Sequence, residues 1–305
     1  MIKIGVVGTS DLAHIHVVGL LSSSRYDLVG CYSPDNRQSM VFAREYRSVS
    51  YSSIDALFKY VDAVDITDHF PETMALAEKS LKALKHVFIT QPYRLNAKQM
   101  RYLKKLAEES GVVLQMGTGY RFCPVYNKLS EMLQTAMVVD VRHQLSNSSG
   151  LNTLLYVEQA YISDFLTSLL NTNIKKLDAK AFPASDGSPD MLHCRIDCDN
   201  GCVVNLLTHS VAGCEPKLEI TFTSPEAVIR ADIFKSVIEK QCCATNAVER
   251  YTLEAYCEKT VQQHYLRIFH RAICNDLDAL RDIERLDKII VVIETQYRNL
   301  INIDD

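Results

Sequence analysis

The first sixteen residues limit what this chain can fold into more than any other stretch. An apolar, β-branched run, Ile2-Lys3-Ile4-Gly5-Val6-Val7, ends at Gly8 and passes at once into Thr9-Ser10-Asp11-Leu12-Ala13-His14-Ile15-His16, which has helical periodicity. A buried strand that gives way at a glycine to a helix is how a doubly wound sheet begins, and it aims the helix N-terminus at a diphosphate. In a dinucleotide-binding turn the first glycine permits the bend, the second lets backbone approach the pyrophosphate, and the third lets helix pack on strand. Those three places read Gly8, Ser10 and Ala13. The Ser10 hydroxyl can donate to a phosphate oxygen, and its Cβ can equally push that oxygen away. Gly8, Ser10, Asp11 and Leu12 are therefore cofactor-binding candidates, set against the alternative of a Rossmann-like turn that binds nothing tightly.

The pattern then repeats. Tyr26 to Tyr32 reads as a second strand, and the residues after it, where this fold meets the adenosine ribose, are Ser33-Pro34-Asp35-Asn36-Arg37. An acidic residue there holds the 2′-hydroxyl of NAD; Ser33 with Arg37 suits a 2′-phosphate and favours NADP, the alternative being a plain polar turn that opens the next helix. Short apolar strands at Ala63 to Ile66, His86 to Ile89 and Val112 to Met116 alternate with helical stretches up to about residue 118. From Val138 onward strands succeed one another across turns, with helices at Tyr156 to Leu170, Tyr256 to Ile273 and Ile283 to Leu300. The expected fold is an α/β Rossmann domain, residues 1–118, followed by an α+β domain with a mostly antiparallel open-faced sheet, residues 119–305.

Composition narrows the partners. A net charge of −4 offers no basic surplus for nucleic acid. No apolar run reaches membrane-spanning length, and the N-terminus enters a strand without the succession of a signal peptide, so the cytosol is expected. Among ten cysteines, Cys194, Cys198 and Cys202 flank the hairpin signal Asp199-Asn200-Gly201. Their spacing lacks the close pairs of a zinc knuckle, so they read as reduced, small apolar residues and no metal site is expected.

Particular words then carry a resemblance: His86-Val87, Gln91-Pro92, Tyr120-Arg121-Phe122 with Pro124, and Phe269-His270-Arg271-Ala272-Ile273. With the architecture they make the chain resemble, over essentially its whole length, the Gfo/Idh/MocA oxidoreductases, most nearly the glucose-fructose oxidoreductase and dihydrodiol dehydrogenase branch. The resemblance implies an NAD(P)-dependent enzyme acting on a sugar- or polyol-like hydroxyl, and a homo-oligomer formed through the sheet of the second domain. It also implies site residues. The family's catalytic lysine, in a Glu-Lys-Pro word, falls on Gln91 within Thr90-Gln91-Pro92, where an amide brings neither an exchangeable proton nor a positive charge. The family word Asp-x-Gly-x-His-x-x-Asp falls on Val157 to Asp164, keeping Asp164 and placing Tyr161 at the histidine. In the branch named, a tyrosine there serves as the acid. A free phenol ionises near pH ~10, so it needs a neighbour to lower that value, and the lysine that would do so is absent.

Tyr161, Gln91 and Asp164 are thus the catalytic candidates, Arg121 and Tyr161 line the substrate, and Asp68 and Gln91 join the cofactor set. Further departures are Asp68 and Glu72 in place of a proline and a histidine after the fourth strand, Leu84 in place of a glycine, and a short approach at Asn147 to Thr153. Two readings stand together: an atypical NADP-preferring oxidoreductase, or a non-catalytic family member that binds a nucleotide or sugar as a sensor.

Overall fold

The computed structural model describes residues 1–68, 70–92, 95–146, 151–183, 189–210 and 214–300. They form two compact units, one of Met1–Thr118 with Glu258–Ile290, the other of Gly119–Cys257 with the residues from Val291 on. The division expected at residue 118 lacked this return of the chain.

In the first unit, strands β1 (Ile2–Val7), β2 (Tyr26–Tyr32), β3 (Val49–Ser50), β4 (Ala63–Ile66), β5 (His86–Ile89) and β6 (Leu114–Met116) form a parallel sheet in the order β3-β2-β1-β4-β5-β6. Helices α1 (Asp11–Leu21), α2 (Asn36–Glu45), α3 (Ile54–Phe58), α4 (Thr73–Lys82) and α5 (Ala97–Ser110) connect them. The central strands are covered on both faces, which is why β1, β4 and β5 read as apolar runs; Ile4, Val6, Val64 and Phe88 are wholly buried. The chain leaves β1 for β2 and β3 on one side and then crosses to β4 on the other. The loops after β1 and β4 therefore lie side by side at the switch point, where sheets of this kind bind ligands.

Helices α8 (Glu258–Ile273) and α9 (Leu277–Leu286) complete this unit. Tyr26 Oη donates to the Leu266 carbonyl at 2.6 Å, and the Phe88 ring lies 6.1 Å from Tyr265 and 5.8 Å from Phe269, so the run ending Phe269-His270-Arg271 is packed against the Rossmann core. The single helix expected over Ile283 to Leu300 is two, α9 and α10 (Ile289–Leu300), separated at Asp287-Lys288. The start of α9 is set by Asp276, whose carboxylate accepts from the Asp278 and Ala279 N–H groups at 3.0 and 3.1 Å.

The second unit is built on eight strands: β7 (Val138–Leu145), β8 (Ile174–Pro183), β9 (Pro189–Cys198), β10 (Val203–Ser210), β11 (Lys217–Thr223), β12 (Ala227–Asp232), β13 (Val237–Cys242) and β14 (Val248–Thr252). Their order is β14-β13-β12-β11-β7-β10-β9-β8, antiparallel at every pair except β7 with β10. Burial alternates along β7: Val139, Val141 and His143 are buried, whereas Asp140 and Arg142 are exposed. Helices α6 (Pro124–Met132) and α7 (Leu151–Leu169) belong to this unit, and α7 covers β9 and β10. Residues 147–150, in the short approach singled out from the sequence, lie outside the described residues.

Candidate active site

The corner after β1 is organised by a carboxylate from the loop after β4. Gly8 has φ +145°, and a Cβ there would overlap the Thr67 hydroxyl and the Asp68 carboxylate, so the backbone position needs glycine. Ser10 is the N-cap of α1: its Oγ accepts from the Ala13 N–H at 3.4 Å and donates to Asp68 Oδ1 at 2.5 Å. The Thr9 and Ser10 N–H groups point at Asp68 Oδ2, at 2.7 and 3.2 Å, and Thr67 Oγ1 donates to Oδ1 at 3.1 Å. The other candidates surround this cradle. Asp11 is exposed in the first turn of α1 and Leu12 is half-buried. Ser33 is buried just beyond β2, while Arg37 is exposed in the first turn of α2, its N–H held by the Asp35 cap at 2.9 Å. Thr9 Oγ1 joins the corner to α2 through Gln38 Oε1 at 3.2 Å.

Beneath the corner runs a buried polar chain that sequence reading did not assemble. His16 Nδ1 meets Asp65 Oδ2 at 2.7 Å, and Nε2 meets Gln262 Oε1 at 3.0 Å; Gln262 in turn donates to Glu258 at 2.6 Å. With an acceptor at each ring nitrogen the imidazole is held doubly protonated. Burial pulls its pKa down, but the charge and hydrogen bond of Asp65, aided by Gln262 and Glu258, leave it above the ordinary value. Thr90 Oγ1 donates to the other Asp65 oxygen at 3.3 Å, and Gln91 follows it, half-buried at the end of β5. The signal in the sequence was an aspartate inside Ala63-Val64-Asp65-Ile66, a strand buried at every position.

The remaining candidates belong to the second unit. Asp164 on α7 and Arg121 form a bidentate pair, Nε to Oδ2 at 2.7 Å and Nη2 to Oδ1 at 2.6 Å, both side chains buried. Tyr161, one turn earlier, is buried with its ring against Gly119, whose φ of +60° and lack of a Cβ make room for it. Tyr120 stands at the centre of an aromatic group, its ring 6.0 Å from Tyr161, 6.1 Å from Phe234 and 6.4 Å from both His143 and Tyr256. Its hydroxyl donates to Glu158 Oε2 at 2.7 Å. His143 Nε2 lies 3.9 Å from that same oxygen, beyond hydrogen-bond reach. Burial, with His209 nearby, pushes His143 down to about 3, so the ring is neutral. Its Nδ1, and Thr208 Oγ1 on the paired strand β10, are buried without a hydrogen-bond partner. Glu158 and His143 were not found from sequence; Glu158 fell on an unspecified place of the family word, and a histidine in a strand carries no spacing signal. The side chain of Val157 lies outside the described ones.

Residues 2–118 match the model of an oxidoreductase family with an NAD-binding Rossmann fold, Gfo/Idh/MocA. Residues 2–118 are thus a Rossmann domain of the Gfo/Idh/MocA type. Among its relatives, the UDP-N-acetylglucosamine 3-dehydrogenase of Acidithiobacillus ferrooxidans is 25% identical over 218 residues, 68% of this chain and 67% of that one. A solved structure of that enzyme superposes with a TM-score of 0.84 at 20% identity, covering 98% of this chain and 95% of the other. The glucose-6-phosphate 3-dehydrogenase of Bacillus subtilis is 23% identical over 221 residues, 61% of this chain, and the match spans 62% of that enzyme's length. GenD2 from gentamicin A biosynthesis, solved with NAD, has a TM-score of 0.81 at 18% identity, over all of this chain and 94% of GenD2. The six-stranded parallel sheet and the mostly antiparallel eight-stranded sheet are the two sheets of the Gfo/Idh/MocA fold. Among the described residues no helix is long and apolar enough to cross a membrane.

The corner of this Rossmann domain fits a dinucleotide in one respect. Two backbone N–H groups and a hydroxyl at an N-terminus already hold an anion, the Asp68 carboxylate. Gly8, Ser10, Asp11 and Leu12 make up this corner, and Ser33 and Arg37 follow the neighbouring strand β2.

Proposed function

We propose that this chain is an NAD(P)-dependent oxidoreductase acting on a secondary hydroxyl of a sugar- or polyol-like substrate. The observation that carries the reading is the glycine-hinged anion cradle at the sheet's switch point, in a family defined by an NAD-binding Rossmann fold. Two curated relatives oxidise position 3 of a hexose derivative by name, which supports a carbohydrate substrate. Ser33 with Arg37, and an Asp35 carboxylate engaged in capping α2 through the Arg37 and Gln38 N–H groups, support NADP over NAD.

The nicotinamide, when bound, supplies hydride acceptance from the carbinol carbon. The chain's own residues handle the proton and the orientation. Tyr161 Oη gives its proton to the carbonyl oxygen in the reducing direction, and the phenolate so formed takes the hydroxyl proton back in the oxidising direction. Asp164 acts by orienting Arg121, whose guanidinium it holds in the bidentate pair. Gln91 orients the oxygen as a hydrogen-bond donor but carries no proton to exchange, so turnover is slow relative to a lysine at this place. Titration with NADPH and NADH followed by a sugar and polyol panel tests the reading: Tyr161→Phe lowers the rate and Gln91→Lys raises it. Binding of neither nucleotide at millimolar concentration would falsify it. The sensor reading draws on Gln91 itself and is favoured by a wild type that binds nucleotide but turns over no substrate, whereas a dead wild type rescued by Gln91→Lys indicates a lapsed enzyme.

The open face of the second unit supports a homo-oligomer. Strand register sets a row across the sheet, Arg250, Glu239 and Arg230 on one half, Asp140, Arg195 and Asp178 on the other. Rotated by half a turn about an axis along the strands, Arg250 faces Asp178 and Glu239 faces Arg195, so the face is complementary to a second copy of itself. Light scattering is expected to show dissociation for Arg195→Glu and reassociation when Glu239→Arg is added.

A further inference from the structure

We propose that Asp68 is a tethered competitor for the nucleotide diphosphate and sets how tightly this chain holds NAD(P); the proposal rests on the nucleotide-binding reading above. Every donor at the α1 corner that backbone geometry offers an anion at Thr9 and Ser10 is spent on this one carboxylate: both N–H groups, at 2.7 and 3.2 Å, and the Ser10 hydroxyl at 2.5 Å. Asp68 is held in place from its own side as well. Thr67 Oγ1 donates to it at 3.1 Å, and Thr67 is itself fixed to β1, its N–H donating to the Val7 carbonyl at 3.0 Å. The carboxylate is thus pre-positioned by the end of β4, and a pre-positioned intramolecular group competes as if present at millimolar concentration or above.

Its donors are all neutral, two amides and two hydroxyls, so its negative charge is undiminished where a doubly charged diphosphate must arrive. A carboxylate does not share such a cradle with a phosphate; like charges at contact distance repel. Nucleotide entry therefore requires the Asp68 side chain to rotate out and leaves it facing the diphosphate. The same geometry explains why a serine is tolerated at the second fingerprint place: in the free chain the Ser10 hydroxyl has an internal acceptor and caps the helix at once.

The experiment compares NADPH and NADH binding, by fluorescence titration, to the wild type, Asp68→Asn and Asp68→Ala, each checked for folding by circular dichroism. Asn keeps the shape and an acceptor but removes the charge, whereas Ala vacates the cradle. Binding tighter by tenfold or more in both variants supports the proposal, as does faster amide exchange at Thr9 and Ser10 in nucleotide-free Asp68→Ala. Equal or weaker binding in the variants, with a wild type that binds, overturns the proposal and leaves the oxidoreductase reading intact. No nucleotide binding by the wild type or by either folded variant overturns both.

Discussion

His16 in the first unit and His143 in the second are both closed to solvent, and they titrate in opposite directions. His16 has a carboxylate at one ring nitrogen and an amide oxygen at the other, so the cation is the form its surroundings satisfy. His143 has a carboxylate only at 3.9 Å, with the near oxygen already engaged by Tyr120, and a second histidine beside it. The difference teaches that burial alone does not set a histidine's charge; about one ångström in the reach of an acceptor does. The second unit buries its full charges elsewhere, in Arg121–Asp164, where the cation has no neutral form to fall back on.

That contrast can be broken most severely at the arginine. Asp164→Ala leaves a guanidinium buried and unable to shed its proton, and should cost about 3–5 kcal/mol in denaturant unfolding. Replacing both partners by apolar residues of similar size, Arg121→Met with Asp164→Leu, should recover most of that loss. Next in size is the acid limb of stability. His143 is depressed to about 3 in the folded chain, so the unfolded chain takes up a proton that the folded one refuses, and stability falls as pH drops below about 6.5. By pH 4 this amounts to about 3 kcal/mol. His143→Gln should flatten that limb, and a limb of unchanged slope would refute the assignment.

Asp65→Asn should cost less than Asp164→Ala, about 1–3 kcal/mol, because His16 can lose its proton when the carboxylate is gone. Its sign with pH is the reverse of that for His143. The folded pKa of His16 is raised, so the pair contributes fully below the unfolded value and the contribution is lost as pH rises through the folded one. The gap in melting temperature between wild type and Asp65→Asn should therefore close with rising pH. The smallest effect is expected at Thr208→Val, which removes a buried hydroxyl that has no partner; stability should stay within about 1 kcal/mol of wild type or rise. A larger loss would mean that the hydroxyl holds an ordered water.

Much of the first unit could be read from residues alone. The β1–Gly8–α1 opening, the strand Tyr26–Tyr32 and the β–α alternation to Met116 follow from period and from buried apolar runs. In the second unit Val138–Leu145 and Ala227–Asp232 stood out by alternation, but β13 and β14 did not. Val248-Glu249-Arg250-Tyr251-Thr252 is an edge strand with little burial on either face, so no hydrophobic period marks it. The short β3 and α3, and α6 with Pro124 in its first turn, carried too few residues to register a period. At the site, family words brought Gln91, Tyr161, Asp164 and Arg121 into view, yet gave no partner for any of them.

What the sequence by itself determined is the kind of sheet, the place where it opens, and which residue types, Gln91 and Tyr161 among them, stand at the places of the family words, since these depend on local period and on residue type. Tertiary structure alone decided who meets whom: Asp68 with Ser10, His16 with Asp65 and Gln262, Arg121 with Asp164, and residues 258–290 with the first unit. The reason is physical. A charged side chain has the same composition whether it faces solvent, substrate or another side chain, and only the folded positions of groups up to 246 residues apart in the chain settle which of these it does.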